Sequence, residues 1–298
     1  MSNPQMVVKE PEPLINILSN IHPQSKKNSL RRMIDYGRVL VDGKRATRAK
    51  EIISQGAMVE ILSRSQGDIQ EKKKQGILHD PKILYDDEEI IVVEKPSGLL
   101  SVATPKRESD TMFDRVRQWS QSTKRKRVYL VHRLDRETSG CLLFAKSPET
   151  RLFLQSQFQK RTIERIYHAV VSGKLPTKSG ISTSRIKESK NKLVRLVPSK
   201  DKSGKEAITK WQVEREEEIH SLIRIKIETG RRAQIRLHMS ELGCPVIGDT
   251  RYGLGKSSVN RLCLHASELK FTHPNGRKIS VKSIIPDKLF SELNRKSL

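Results

Sequence analysis

Ten residues, Val131-His132-Arg133-Leu134-Asp135-Arg136-Glu137-Thr138-Ser139-Gly140, constrain the fold of this 298-residue chain more than any other stretch. Before them runs Val128-Tyr129-Leu130-Val131, short and β-prone; after them runs Cys141-Leu142-Leu143-Phe144-Ala145, apolar enough for a buried strand. The block between is charged and closes on Thr-Ser-Gly, a turn signal, so it is excluded from the core. Asp135 is therefore expected on a loop between two core strands, close to Arg133 and Arg136. A carboxylate positioned among guanidinium groups can serve as nucleophile or base. The same pattern also suits a salt-bridged structural loop.

Net charge is +24, spread along the whole chain, which implies a polyanionic partner, nucleic acid first. An anionic membrane competes weakly, because no basic amphipathic helix with large aromatics stands out. Cys141, Cys244 and Cys263 sit in apolar runs and read as reduced core residues, not as disulfides or a zinc site. Met1 to Gln5 opens no apolar region and no run approaches a membrane span, so a cytoplasmic location is expected. His132, Asp135 and His238 lack the paired spacing of metal ligands, and no metal is expected. Gly255-Lys256-Ser257 resembles the tail of a phosphate-binding loop, but Thr250 stands where its first glycine is required. Asp135 and Glu137, two apart on one loop, give no reason to flank a sugar from both sides.

Residues 1–12 are polar with several prolines and read as a mobile arm. Residues 13–64 read as a small domain. Leu14, Ile15 and Leu18 have helical spacing, and a second helix is expected from Ser29 to Tyr36, with Ser29 as N-cap and Gly37 as the stop. Its Leu30, Met33 and Ile34 share a face, while Arg31 and Arg32 point elsewhere. Val39 to Val41 is a strand entering an Asp42-Gly43 turn, followed by Lys44, Arg45, Arg48 and Lys50. Outward arginines beside a basic hairpin suit a phosphate backbone. Residues 65–81, with Glu71-Lys72-Lys73-Lys74, read as a linker to a second domain over 82–298.

In that second domain Ile83 to Val93 reads as strand, acidic turn and strand, entering a proline turn at Lys95-Pro96-Ser97-Gly98. A helix is expected from Met112 to Trp119, then a basic cluster at Lys124-Arg125-Lys126-Arg127. Ser147-Pro148 opens another helix, with Leu154 and Phe158 on its buried face. Ile163 to Gly173 reads as a strand, and residues 174–210 as a basic insertion or exposed hairpin. Ser221 to Glu228 reads as a strand, and Arg231 to Leu242 as a helix burying Ile235, Met239 and Leu242. Asn275-Gly276 is a hairpin turn, and Pro286 to Leu293 a short helix.

His132 to Gly140 resembles the signature of the RluA-type pseudouridine synthases. The resemblance continues in Lys95-Pro96-Ser97-Gly98, similar to Lys-Pro-x-Gly, and in Arg165 to Gly173, similar to Lys-x-Tyr-x-Ala-x-Val-x-Gly with Arg165 for the usual lysine. Thr229 to His238 resembles Thr-Gly-Arg-x-His-Gln-Ile-Arg-x-His with Ala233 for the first histidine. In all it spans roughly residues 83–290. Gly37 to Gly43 resembles the Gly-x-Val-x-Val-Asn-Gly of the S4 RNA-binding domain, though Gly56-Ala57 stands where Gly-Asp is usual.

This resemblance implies an α+β protein: a mixed, largely antiparallel catalytic sheet over 82–298 behind a small α+β S4-like domain over 13–64. It implies that Asp135 is catalytic, that Tyr167 stacks on the target base, that Arg236 pairs with Asp135, that Ile235 packs beside the tyrosine, and that Arg133 helps hold an extruded uridine. Arg31, Arg32, Arg38, Lys44, Arg45, Arg48 and Arg136 are expected to contact RNA. Pseudouridine formation needs no redox change and no group donor, so no cofactor is implied. Large-subunit ribosomal RNA is the expected target and tRNA the second choice, with the protein a monomer. The alternatives are a non-catalytic RNA-binding or ribosome-assembly protein on the same scaffold, and a glycosidase releasing free uracil.

Overall fold

The computed structural model describes residues 3–63, 79–104, 108–123, 127–189, 193–253 and 259–293. Most of the 65–81 linker, Lys124-Arg125-Lys126 and Gly255-Lys256-Ser257 lie outside the described residues. The chain forms two compact units, residues 1–78 and 79–298.

The first unit runs β1 (Gln5–Val7), β2 (Glu12–Pro13), α1 (Leu14–Ile21), α2 (Lys27–Asp35), β3 (Val39–Val41), β4 (Lys44–Arg45), β5 (Ile52–Ile53) and β6 (Met58–Ile61). Four strands make an antiparallel sheet in the order β1-β6-β3-β4. Leu14, Ile17 and Leu18 of α1 and Leu30 and Ile34 of α2 pack with Val39 and Val59 of the sheet. Residues 1–12 do not form the free arm expected of them. Met6 pairs with Val59 across β1 and β6, and Val8 is buried. The partner that makes this stretch a strand lies some fifty residues downstream, out of reach of a local reading. Helix α2 begins two residues before Ser29 with no side-chain cap, and it stops as expected. Gly37 has φ +63°, and the N–H groups of Gly37 and Arg38 reach the carbonyls of Ile34 and Met33, both at 2.9 Å. Asp42 and Gly43 both have positive φ, the geometry of a tight hairpin turn.

The second unit opens with β7 (Lys82–Asp86), β8 (Ile90–Lys95), α3 (Met112–Thr123), β9 (Tyr129–Leu130), β10 (Ser139–Ala145) and α4 (Pro148–Gln159). It continues with β11 (Glu164–Ser172), β12 (Ser179–Glu188), β13 (Val194–Val197), β14 (Lys205–Glu216), β15 (His220–Ile227), α5 (Gln234–Glu241), β16 (Leu264–Thr272), β17 (Lys278–Lys282) and α6 (Asp287–Leu293). Eleven strands form one sheet along β13-β12-β14-β15-β11-β16-β10-β8-β7, with β17 on β16 and β9 on β10. Segment 174–210 is part of it, since β12 and β14 pair along most of their length.

The middle of the sheet is covered on both faces, which is why β8 and β10 are continuous apolar runs. Ile91 and Val93 with Leu142 and Phe144 face Met112 and Val116 of α3. Ile90 and Val92 with Cys141, Leu143 and Ala145 face Leu154 of α4. Ser147 caps α4 by accepting the Thr150 N–H at 3.0 Å, one residue before Pro148.

Only β10 and β16 pair in parallel among the described strands, through Ser139 with His265 and Gly140 with Ala266. Thr-Ser-Gly is therefore not the turn expected, because Ser139 and Gly140 already belong to the strand. Gly140 has φ +114°, and a Cβ there would lie 2.2 Å from the Ala266 carbonyl oxygen. Its lack of a side chain lets the two backbones meet directly below the Asp135 loop. Replacing it with alanine must move backbone, so Gly140→Ala should cost at least about 2 kcal/mol in urea unfolding. Gly173→Ala, with φ +74° and open space around it, is the control and should cost about 1–2 kcal/mol.

Candidate active site

Residues 131–138 cross from β9 to β10 and carry Asp135, and the carbonyls of Leu134, Asp135, Arg136 and Glu137 in this loop all accept hydrogen bonds. His132 Nε2 accepts the Leu143 N–H at 3.1 Å, and its ring packs on Phe158 with centroids 4.9 Å apart. Burial, with Arg165 nearby, pulls the His132 pKa down to about 3, so the ring is neutral and free to accept. Ser101 brackets Leu134, donating to its carbonyl at 2.8 Å and accepting its N–H at 3.0 Å. The Arg136 carbonyl accepts the Gly98 N–H at 2.9 Å, while Arg136 Nε returns a bond to the Gly98 carbonyl at 2.9 Å. Ser97 donates to the Glu137 carbonyl at 2.6 Å. Beyond the loop, Ser139 Oγ meets His265 Nδ1 and the Arg261 guanidinium, both at 2.8 Å.

Lys95, which the sequence reading placed in the proline turn but gave no role at the site, ties these contacts together. Its side chain is fully buried, and Nζ donates to the carbonyls of Pro96 at 2.9 Å, Leu99 at 2.7 Å and Arg136 at 3.0 Å. Three acceptors match the three N–H bonds of an ammonium. Burial pulls its pKa down to about 7, against the opposing pull of Asp135 and Glu137. A signal was available: Lys95 follows Ile91 and Val93 at period two, on the inward face of β8.

The Asp135 carboxylate itself accepts no hydrogen bond among the described residues. It lines a cleft of about 490 Å³ with Arg133, Tyr167, Ile235 and Arg236. The structure thus brings the five predicted catalytic positions to one cavity. Tyr167 stands on β11, largely buried, and burial pushes its phenol up to about 12, so the hydroxyl keeps its proton. Arg133 is exposed at the cleft and makes no ion pair among the described residues. Arg136 is outside the cleft lining, occupied with the Gly98 turn.

Helix α5 places Ile235 and Arg236 in its first turn and begins later than expected, at Gln234. Ala233 adopts a left-handed conformation there, with φ +54°. Gln234 anchors this start by accepting from Thr229 Oγ1 at 2.7 Å and donating to the Ile208 carbonyl at 2.9 Å. Buried His238, its pKa pulled down by burial to about 4, meets Thr209 Oγ1 at 2.8 Å and Ser184 Oγ at 2.7 Å.

Arg236 is not ion-paired with Asp135 as expected. Its Nε and Nη2 grip the two oxygens of Asp249, each at 2.7 Å. Asp249 has a fully buried side chain, held further by the N–H groups of Arg251 and Tyr252 at 2.9 Å. A buried, pre-oriented carboxylate matches the guanidinium fork better than one on the half-exposed loop. The third nitrogen, Nη1, lies 3.7 Å from Glu137. Burial works against the charge of Arg236, but Asp249, then Asp135 and Glu137, outweigh it and raise its pKa.

In the first unit Arg31, Arg32, Lys44 and Arg48 are exposed. Arg38 is half-buried and donates to the Leu62 carbonyl at 2.9 Å, and Arg45 packs its guanidinium over Gly37.

Two outcomes follow. Asp249→Ala removes the buried carboxylate that grips Arg236 and should cost about 3–5 kcal/mol in denaturant unfolding. Lys95 has a folded pKa below its ordinary value, so the unfolded chain binds more protons from about pH 7 upward. Its contribution to stability therefore rises with pH above about 7. The stability of wild type relative to Lys95→Met should increase between pH 7 and 9, and a constant gap would show that Lys95 does not titrate there.

The family model described as RNA pseudouridylate synthase matches residues 89–241, and the S4 domain model matches residues 12–59. The chain is 32% identical over 295 residues to ribosomal large subunit pseudouridine synthase D of Neisseria meningitidis serogroup A, covering 93% of this chain and 77% of the relative. It is 33% identical over 226 residues to tRNA pseudouridine synthase C of Vibrio parahaemolyticus, covering 69% and 91%. The fold is that of human RNA pseudouridylate synthase domain containing 4, with TM-score 0.61 and 22% identity over 78% of this chain and 97% of the human one. The catalytic-family match and the similarity to these enzymes, together with an S4 domain match over residues 12–59, show that the chain belongs to the RNA pseudouridine synthases.

Proposed function

We propose that this enzyme isomerises a uridine of large-subunit ribosomal RNA, with Asp135 as the residue that acts on the ribose. One observation carries the reading: the backbone around Asp135 is fixed by Lys95, Ser101, Gly98 and Ser97, while its carboxylate is left free in the cleft. Preorganised backbone with an uncommitted side chain is what a nucleophile or base requires.

The reaction breaks the bond between ribose C1′ and uracil N1 and forms one between C1′ and C5. N1 gains a proton and C5 loses one, so atoms and electrons balance without a donor. Asp135 serves either by attacking C1′ or by removing a ribose proton, and both routes use the same free carboxylate. Tyr167 offers its ring face to the extruded uracil, a stacking contact worth about 1–3 kcal/mol. Arg236, immobilised by Asp249, sets a fixed positive charge beside Asp135. Ile235 supplies apolar wall beside Tyr167, and Arg133, also lining the cleft, helps hold the extruded uridine. Exposed Arg31, Arg32, Lys44 and Arg48 add phosphate contacts that offset the cost of extrusion.

Ribosomal RNA is preferred because the similarity to the large-subunit enzyme covers 93% of this chain. The similarity to the tRNA enzyme, over 69%, favours tRNA as the second reading. Pseudouridine mapping of total RNA from cells with and without the protein tests both. One large-subunit site should vanish, returning with wild type but not with Asp135→Ala, whose rate should fall at least about a hundredfold. Loss of a tRNA site would move the target, and no change in any site would favour a binding protein.

A further inference from the structure

We propose that Arg161, Arg165 and Arg231 form a phosphate subsite in the cleft, which takes a backbone phosphodiester next to the extruded uridine. This rests on the reading of RNA uridine as substrate. The three side chains come from three elements: Arg161 just past α4, Arg165 near the start of β11 and Arg231 between β15 and α5. All three line the Asp135 cleft.

Arg165 is 9% exposed, and its guanidinium lies 5.5 Å from the Phe158 ring centroid. Its Nη2 donates to the carbonyls of Glu228 at 2.9 Å and Ile227 at 3.4 Å, but Nε is buried with no partner. No carboxylate pairs with it among the described residues. A buried guanidinium with an unused donor is costly unless an anion completes it. Gly230 leaves room for it, since a Cβ there would lie 2.7 Å from Nη1. Burial, then the fields of Arg161 and Arg231, lower its pKa against the opposing pull of Tyr167.

Arg161 supplies an independent sign. Helix α4 ends in a left-handed turn: the Thr162 N–H reaches the Gln157 carbonyl at 3.0 Å and the Arg161 N–H reaches that of Phe158 at 3.3 Å. The left-handed residue of such a turn is usually glycine, yet Arg161 holds it at φ +59°. Strain accepted for a side chain points to a use for that side chain. Nearby negative groups do not neutralise the set. Glu206 takes one nitrogen of Arg161 at 3.0 Å, its backbone carbonyl takes Arg231 Nε at 2.8 Å, and Glu228 is paired with Lys210 at 2.5 Å. Three guanidinium groups lining one cleft, with a single carboxylate paired among them, suit a phosphodiester, the only anion that RNA offers there.

The test measures tritium release by the full chain from total RNA labelled with 5-tritiated uridine in cells lacking the protein, because each turnover expels the C5 hydrogen. Arg161→Gly should melt above wild type as the left-handed strain is relieved, while its KM rises about tenfold, the loss of one charged hydrogen bond. Its plot of log KM against log salt should lose about one unit of slope. Arg231→Gln should lose slope likewise, without the gain in melting temperature. If both variants keep the wild-type KM and slope while wild type is active, the subsite is wrong and the enzyme reading stands. If wild type releases no tritium, the enzyme reading fails and the subsite falls with it.

Discussion

The ammonium of Lys95 is the contact on which the cleft depends. Charge inside a protein is tolerated only where its hydrogen-bonding capacity is used. Here three N–H bonds meet three carbonyls, two from the turn after β8 and one from the residue after Asp135. The lysine thus joins two loops separated by about forty residues of chain. It holds the backbone beside Asp135 without touching the carboxylate.

The same economy recurs around the site. Arg236 is held by Asp249, so its position does not depend on Asp135. His132 and His238 are kept neutral by burial and serve as hydrogen-bonding struts. In each case a buried polar group fixes geometry, while the side chains of Asp135 and Arg133 at the cleft make no hydrogen bond or ion pair among the described residues. The arginines that face it make the cleft attractive to a polyanion, in line with a net charge of +24.

Much of this was legible in the residues. The apolar runs at 90–93 and 141–145 marked central strands, because a sheet covered on both faces needs apolar side chains at every position. Gly37, Asp42-Gly43 and Ser147-Pro148 marked their turns and cap through conformations that few residues adopt. Thr138-Ser139-Gly140 misled. A glycine that permits a turn also permits a close backbone approach, and the neighbour that decides between them, Ala266, is remote in sequence. Residues 5–7 misled in the same way, since β6 makes them a strand.

By itself the sequence determined the central strands, most helices and the loop that carries Asp135, and its charge pointed to a polyanionic partner. These follow from local periodicity, charge and turn chemistry. Tertiary structure alone decided what each polar group is bonded to: Lys95 with three carbonyls, Arg236 with Asp249 instead of Asp135, and Arg165 with an unpaired nitrogen. Pairing depends on which carboxylate or carbonyl is buried, oriented and within about 3 Å, a property of the folded chain that no spacing along the sequence encodes.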